Sequence, residues 1–315
     1  MSSSTGGVIV RGPGQSPRHH SRVTPPFVFA IALKPRDVSS DWEQVENNLA
    51  RTIRSARAAD RSATVIVACH DEPELGADGE GVVALRVPFP APSSPAEGGR
   101  DKAAKRRFAA AWLRASMRDD DEAYVMFLDA DDLVHRELVS HVRSGLRPSY
   151  VVQTGYIADL ERGLLGRRRS DFHKTCGSSF VCRFARAELP AAWDDLSAPF
   201  SQFGSAPDQR GHPEYDRVAT ELGRPPVPFP FPAVTYVVNH SESLWSAKGR
   251  GRRPLGAVQD LVPPQRAQRV LREEFTAADL AAQLVGYAGF GAAAFGAAKA
   301  QAGAGVLRRL KGVRR

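Results

Sequence analysis

The chain has 315 residues and a net charge of +8, which favours anionic partners such as nucleotide diphosphates, acidic polymers, anionic lipids or nucleic acids. Hydrophobic residues make up 42% and charged residues 25%, the ordinary balance of a soluble globular protein rather than of a fibrous chain. The three cysteines, Cys69, Cys176 and Cys182, match neither a disulfide framework nor a CxxC metal site, and this favours a reducing compartment.

Residues 1–25 predict a disordered basic arm. They are rich in Ser, Gly, Pro, His and Arg, and they lack the apolar stretch of a signal peptide. We therefore expect the folded part of the chain to begin near residue 26.

Residues 26–146 alternate strands with helices. The strands are near-continuous apolar runs, and the first helix carries its apolar residues at helical spacing. We predict a strand at Phe27–Leu33, a helix at Ser40–Ala59, strands at Ala63–Cys69 and Gly81–Val87, a basic helix at Asp101–Met117 and a strand at Val125–Leu128. This order predicts an α/β fold, in which an open, mostly parallel, twisted sheet is flanked by helices.

The rest of the chain is less regular. In residues 147–260 we predict strands at Tyr150–Ile157, Ser178–Phe184 and Val234–Asn239, a basic loop at Arg167–Arg169 and a short helix at Tyr215–Leu222. Residues 261–315 predict a helical, Ala- and Gly-rich basic extension at the C-terminus. Its uncharged stretch Leu280–Ala298 has many glycines and few Leu, Ile or Val, so it favours an interfacial helix, or one packed on protein, over a membrane span.

The most informative stretch is the acidic turn Asp129-Ala-Asp131-Asp132, which follows the apolar run Val125–Leu128. Open α/β sheets bind ligands at the carboxyl ends of their strands, where this turn must lie. Asp129 and Asp131 flank one small residue and can point to one hard cation, and Mg²⁺ and Mn²⁺ prefer such oxygen ligands. The alternative is an acidic loop that caps a helix starting near His135. We favour a metal site with Mn²⁺ or Mg²⁺ as the cofactor.

Polar groups also follow the neighbouring strands, with Lys34 after the first and Asp71 after the second. The carboxyl ends of parallel strands meet at one edge, so these side chains are expected to share a crevice with the acidic turn. Lys102, Lys105 and Arg106 lie on one face of the basic helix that leads to this turn. A crevice with carboxylates beside cations suits a metal-bound pyrophosphate. For any one of these Lys or Arg residues taken alone, exposure to solvent on the helix surface is the better explanation.

This order of elements, with the stretch Val125–Asp132 and a second strand that ends at Asp71, resembles the family 2-type glycosyltransferases with the GT-A fold. The resemblance covers about residues 27–139. It departs at Lys34-Pro-Arg36, where the family usually has a Tyr-Asn-type loop. It also departs at Lys105-Arg-Arg107, where the family usually has an Arg-Asn pair.

The resemblance implies roles for individual residues. Asp131 would be the principal metal ligand, and Asp129 would contact the donor ribose or sugar and could join the metal site. His240, at the end of a later strand, would complete the metal site, with a structural hydrogen bond as its competing role. Asp71 would contact the nucleotide base. The remaining donor-binding candidates are Lys34, Lys102 and Lys105.

An inverting transferase needs a carboxylate base that takes the proton of the acceptor hydroxyl. The segment Asp208–Asp216, which includes His212, precedes a helix as the base does in similar enzymes, and our candidates are Asp208 and Glu214. The loop Lys174–Ser179 resembles an acceptor-side loop, with an ordinary Gly-Ser turn as an equal alternative. Cys176 within it has no adjacent base and is not expected to act as a nucleophile.

We therefore expect a metal-dependent, hexosyl-type glycosyltransferase that moves a sugar from a nucleotide-diphosphate donor, a UDP-sugar by default, to a saccharide or glycan acceptor. Cell-surface polysaccharide or glycoconjugate synthesis is the expected setting.

Residues 26–146 would bind the nucleotide sugar, and residues 147–260 would bind the acceptor. The protein would be cytoplasmic or peripheral at the inner membrane face, touching the membrane through its C-terminal tail, and would not bind nucleic acid. The alternatives are a nucleotidyltransferase that makes nucleotide sugars, a basic scaffold or nucleic-acid-binding protein, and a transferase-like subunit without catalysis.

Overall fold

The computed structural model describes residues 24–203, 211–242 and 258–284. Its strands are β1 (Phe27–Ala32), β2 (Thr64–Cys69), β3 (Val82–Arg86), β4 (Glu122–Leu128), β5 (Leu133–Val134), β6 (Ser149–Val151), β7 (Gly155–Asp159), β8 (Leu164–Arg168), β9 (Phe180–Ala185), β10 (Val227–Pro228), β11 (Val234–Val238) and β12 (Asp260–Leu261). Its α-helices are α1 (Trp42–Ala59), α2 (Gly98–Ser116), α3 (Leu138–Gly145), α4 (Tyr215–Glu221), α5 (Pro264–Arg269) and α6 (Ala278–Gln283).

The larger sheet has, within the described ranges, seven strands in the order β10-β6-β9-β4-β1-β2-β3. The strand β1 lies between β2 and β4 and is parallel to both, and β3 is parallel to β2. The strand β9 runs antiparallel to its neighbours β4 and β6. The prediction of an α/β fold with a mostly parallel sheet flanked by helices is therefore confirmed.

Helices cover both faces of this sheet, so its central strands are apolar on both sides. Phe29 of β1 lies in the same core as Leu49 of α1, whereas its neighbour Val28 lies in the opposite core with Ala109 of α2. The side chain of Asp41 caps α1 by accepting a 3.0 Å hydrogen bond from the backbone N–H of Gln44. This cap sets the start of the helix as expected for an Asp that precedes an apolar helical pattern.

A second sheet was not predicted, and among the described residues it has five strands in the order β12-β8-β7-β11-β5. The predicted single strand Tyr150–Ile157 is wrong, because the chain leaves the larger sheet after β6 and enters the second sheet as β7. The Val152 N–H still bonds to the Ser179 carbonyl in the register of β6 and β9, and the chain leaves this pairing after Val152. The predicted basic loop at Arg167–Arg169 is also wrong in part, since β8 extends to Arg168.

The C-terminal extension is helical as predicted through α6, and it packs on the protein's own second sheet. Leu271, Phe275 and Leu280 share a core with Tyr156 of β7. A π-helical turn at Val270–Glu274 joins α5 to this last part. Residues 1–23 of the predicted arm, which was residues 1–25, and most of the stretch Leu280–Ala298 lie outside the described residues. Within the ranges that are described, none of the helices combines the length and the apolar run that crossing a bilayer requires.

Gly155 is a position where a larger side chain would disturb the second sheet. A Cβ atom there would lie 2.4 Å from the Cε2 atom of Phe172, a ring that is fully buried and cannot move aside. We expect Gly155→Ala to lower the free energy of unfolding by about 1–3 kcal/mol, measured by urea denaturation. The control is Gly211→Ala, whose new Cβ would meet, among the described residues, only Pro213 at 3.5 Å, and it should change stability by less than about 0.5 kcal/mol. Equal losses in the two variants would contradict the packing argument.

Candidate functional site

The carboxyl ends of β1, β2 and β4 meet at one edge of the larger sheet, as predicted. Ile31 of β1 pairs with Leu128 of β4, and Ala32 of β1 pairs with Ala68 of β2. The acidic turn therefore starts beside the residues that follow β1 and β2. In an open α/β sheet this edge is where a ligand crevice forms.

Asp129 is held by two cations of α2. Its Oδ1 atom lies 2.6 Å from Lys102 Nζ and 3.0 Å from Arg106 Nη2, which confirms that these two cations share one face of the helix. The guanidinium of Arg106 also lies over the Phe127 ring and donates to the Tyr215 hydroxyl. Burial alone would raise the pKa of Asp129. The charges of Lys102 and Arg106 outweigh this effect and hold that pKa below its usual value. Asp129 is thus an anion that already has two positive partners.

Asp131 lies next to His240, with 2.9 Å between its Oδ2 atom and the imidazole Nε2 atom. The pairing of β5 with β11 brings them together, because β5 follows the acidic turn and His240 follows β11. A carboxylate beside an imidazole fits a divalent cation as two of its protein ligands. Within the described residues, however, no group of three or more His, Cys, Asp or Glu side chains gathers around one point. A metal held here would need substrate oxygens or water for its other positions.

Asp132 is fully buried and does not point to the crevice as a ligand. It accepts hydrogen bonds from Ser178 Oγ at 2.6 Å, Cys176 Sγ at 3.2 Å and the backbone N–H of Val237 at 3.1 Å. Burial, and then the nearby charge of Asp131, raises the pKa of Asp132 well above its usual value. Its role is therefore to hold the acidic turn in place. The alternative that this turn caps the next helix does not describe the structure, because α3 starts only at Leu138 without a side-chain cap.

The loop Lys174–Ser179 supports the acidic turn from behind. Ser178 Oγ accepts a 2.8 Å hydrogen bond from the Asp129 backbone N–H, and a Cβ atom at Gly177 would lie 3.0 Å from Asp129 Oδ2. The small residues of this loop thus let the turn approach its backbone. Burial raises the pKa of the Cys176 thiol well above its usual value, so it stays a neutral donor to Asp132.

Lys105, which was predicted to bind the donor, is fully buried instead. Its ammonium donates to the Leu33 carbonyl at 2.7 Å and to Asp101 at 2.7 Å, and so ties α2 to the end of β1. Burial lowers the pKa of Lys105, and the charge of Asp101 opposes this effect. The neighbouring Arg107 donates to the Trp193 carbonyl at 2.6 Å instead of to the acidic turn.

Lys34 pairs with Glu242, a residue that the sequence did not single out. The two charged groups are 2.6 Å apart, and Glu242 also accepts hydrogen bonds from the Ser39 hydroxyl and from the backbone N–H of Asp41. Glu242 thereby joins the loop after β1 to the segment that carries His240. Asp71 lies on the exposed side of this loop and accepts a 2.9 Å hydrogen bond from the Arg36 backbone N–H.

The segment predicted to supply a base is described only in part, since Asp208 lies outside the described residues. Glu214 is 45% exposed and pairs with Arg217 at 2.7 Å. His212 lies closer to the acidic turn: its Nδ1 atom donates to the His173 carbonyl at 2.6 Å, and the charge of Asp129 acts on its ring. Burial lowers the pKa of His212, so the ring is neutral at pH 7 and its Nε2 atom is a hydrogen-bond acceptor.

Comparisons with known proteins identify no family. No family model and no curated protein matches the chain. Among the solved structures that it resembles is a protein from Desulfovibrio desulfuricans G20, assigned provisionally as a nucleotide-diphospho-sugar transferase. The two share 10% sequence identity with a TM-score of 0.37, over 83% of this chain and 96% of that one. A similarity this low does not carry an argument about activity, which must come from the site itself.

The pKa of Asp132 can be tested through the pH dependence of stability. A carboxyl whose folded pKa lies above its unfolded value of about 3.9 loses its contribution to stability as the pH rises through that interval. Asp132→Asn removes this titration, so the stability of the variant relative to the natural protein should increase from pH 4 to pH 7. Urea denaturation at each pH measures the difference. A difference that stays constant, or that falls with pH, would show that Asp132 is stabilised as an anion.

Proposed function

We propose that this protein is a glycosyltransferase that takes its sugar from a nucleotide-diphosphate donor. The observation that carries the proposal is the arrangement at the carboxyl edge of β1, β2 and β4. There Asp129 lies against Lys102 and Arg106, and Asp131 lies against His240. Cations and a carboxylate–imidazole pair, side by side in the crevice of an α/β sheet, match the charges of a nucleoside diphosphate and of a divalent cation bound to it.

Each group would have a separate task. Asp131 and His240 would hold Mn²⁺ or Mg²⁺, which when bound supplies positive charge to the departing nucleoside diphosphate. Lys102 and Arg106 would hold Asp129 in one orientation toward the ribose or the sugar, and would add positive charge beside the phosphates. Asp71, at the end of β2, would accept a hydrogen bond from the nucleotide base.

The finer parts of the proposal concern the substrates and the setting. A UDP-linked hexose is the default donor, and a saccharide or glycan is the acceptor, bound by residues 147–260. We place the activity in the synthesis of cell-surface polysaccharide or glycoconjugate, in the cytoplasm or at the inner membrane face. Contact with that membrane would be made by the basic C-terminal tail.

His212 is our candidate for the group that accepts the proton of the acceptor hydroxyl. It is neutral, its Nδ1–H is engaged by the His173 carbonyl, and its other nitrogen is therefore an acceptor near Asp129. Asp208 and Glu214 remain the carboxylate candidates from the same segment. Glu214 is the weaker of these two on geometry, because Arg217 already pairs with it.

Nucleotide binding tests the proposal directly. We would titrate the protein with UDP, GDP and CDP, with and without Mn²⁺, by calorimetry. One nucleotide should bind with micromolar affinity in the presence of Mn²⁺, and Asp131→Asn should weaken it by at least about tenfold, since a charged metal ligand is lost. The matched control is Asp119→Asn, an Asp just before β4 whose side chain is 96% exposed.

The outcomes separate the parts of the proposal. Binding that does not need metal would keep the nucleotide site but would reject Asp131 and His240 as metal ligands. Failure of all three nucleotides to bind a folded protein would reject the transferase itself. An equal loss in Asp119→Asn would show that the effect is not specific to the acidic turn.

The identity of the base can be tested with two variants of similar size. Release of the nucleoside diphosphate from the donor that binds is measured in the natural protein, in His212→Gln and in Glu214→Gln. We expect His212→Gln to lower kcat by about 100-fold or more with little change in nucleotide affinity, and Glu214→Gln to change it less than about threefold. The reverse pattern would assign the role to the carboxylate.

A further inference from the structure

A cavity lies beside the second sheet, at the end of β5 that is farther from the acidic turn. It has a volume of about 360 Å³ and is formed where β5 ends, where β11 begins and where α5 passes over β7 and β8. A volume of this size is in the range of small-ligand pockets. None of the individual residues to which we assign a role in the transferase reaction lines it, although Tyr156, Arg167 and Phe231 belong to the half of the chain that would bind the acceptor.

The cavity is separate from the nucleotide crevice because the two lie at opposite ends of β11. Pro232 lines the cavity just before this strand, whereas His240 follows the strand beside the acidic turn. At about 3.3 Å per residue, Asp131 of the acidic turn and His135 of the cavity are separated by about 13 Å of extended chain.

Three arginines from three different elements line the cavity. Arg136 follows β5, Arg167 belongs to β8 and Arg266 belongs to α5. Among the described residues, no carboxylate lies within 4.0 Å of these guanidinium groups, but Arg266 is hydrogen-bonded to the Tyr156 side chain, and the charges of Arg266 and Arg136 act on Glu274. The Nε atom of Arg167 is buried and has no hydrogen-bond partner in the structure. A buried donor without an acceptor is costly, so an oxygen of a bound anion would be stabilising at this point.

The remaining walls are aromatic and acidic. Tyr156 is the cross-strand neighbour of Arg167, so both side chains project from the same face of the sheet. Phe231 forms an apolar wall together with the ring of His135, whose centroid is 4.7 Å away. Glu274 and Glu137 also line the cavity, and Glu274 lies 3.6 Å from His135. Three cations face two carboxylates, so the cavity carries a net positive charge while it offers acceptors for hydroxyl groups.

We propose that this cavity binds a small anionic sugar, a single hexose that carries one phosphate or one carboxylate group. The three arginines would bind the anionic group, with Arg167 Nε as one donor. Phe231 and Tyr156 would pack against the apolar face of the ring, and Glu274 would accept hydrogen bonds from hydroxyls. This inference stands independently of the proposed transferase activity.

The test is calorimetry on the full chain with four probes, namely glucose 1-phosphate, glucuronate, glucose and inorganic phosphate. At least one of the two anionic sugars should bind with submillimolar affinity, and glucose should not bind. Arg167→Gln and Arg136→Gln should each weaken that binding by about tenfold or more, because each removes a charge-assisted hydrogen bond. Arg136 is exposed, so its replacement should not affect folding. The control is Arg118→Gln, an arginine that is 85% exposed and does not line the cavity.

Several results would overturn the proposal. If neither anionic sugar binds the natural protein, the cavity is not a sugar site. If both arginine variants bind as tightly as the natural protein, the sugar binds elsewhere. If inorganic phosphate binds as tightly as glucose 1-phosphate, the site recognises the anion alone. Nucleotide binding by Arg167→Gln is measured in parallel. If the variant still binds the nucleotide, a loss of sugar binding concerns this cavity and not the transferase crevice.

Discussion

The candidate site depends on one buried carboxylate, that of Asp132. It joins the acidic turn to two distant segments, since it accepts hydrogen bonds from Cys176 and Ser178 of the loop before β9 and from the Val237 N–H of β11. Each of these donors would be left unpaired in the interior if the turn moved, at a cost of about 1–3 kcal/mol. The directions in which Asp129 and Asp131 leave the turn are therefore set by a residue that itself cannot reach a ligand.

Charge explains why three carboxylates can share four residues. Two like charges at about 4 Å repel by about 4 kcal/mol at an effective dielectric constant of about 20. The repulsion is reduced differently at each carboxylate. Asp129 is paired with Lys102 and Arg106, Asp131 contacts His240, and the raised pKa of Asp132 favours its neutral form. A ligand in the crevice thus meets a charge pattern that is already balanced. A nucleoside diphosphate would have to bring its own cation, or share the two cations of Asp129.

Much of the first half of the molecule could be predicted from the sequence, because apolar periodicity reports local structure. The strands β1, β2 and β4 are recognisable as near-continuous apolar runs, whereas the placement of His240 beside Asp131 follows from the family resemblance and not from the residues alone. The second sheet could not be predicted, since strands such as β8 are short and mix glycine with arginine.

Individual side chains were harder to place than elements. Lys102 and Lys105 share a helix face in sequence, yet one reaches Asp129 while the other is buried against the Leu33 carbonyl. Helical spacing predicts which face of α2 a side chain lies on. It does not predict how deeply the side chain is buried, because that depends on how closely α2 packs on β1. Glu242 was missed for another reason: its partner Lys34 is 208 residues away, and no local pattern reports such a contact.

The second sheet connects the two proposed binding sites through the same pair of strands. The turn before β5 carries Asp131, and β5 leads to His135 at the cavity, while β11 begins after Phe231 and ends before His240. Shared strands do not by themselves couple two ligands, because coupling requires an element with two arrangements that each ligand favours differently. Here β5 and β11 are paired with each other, and the Val237 N–H of β11 bonds to Asp132. The buried carboxylate that orients the acidic turn is thus attached to the strand whose start borders the cavity.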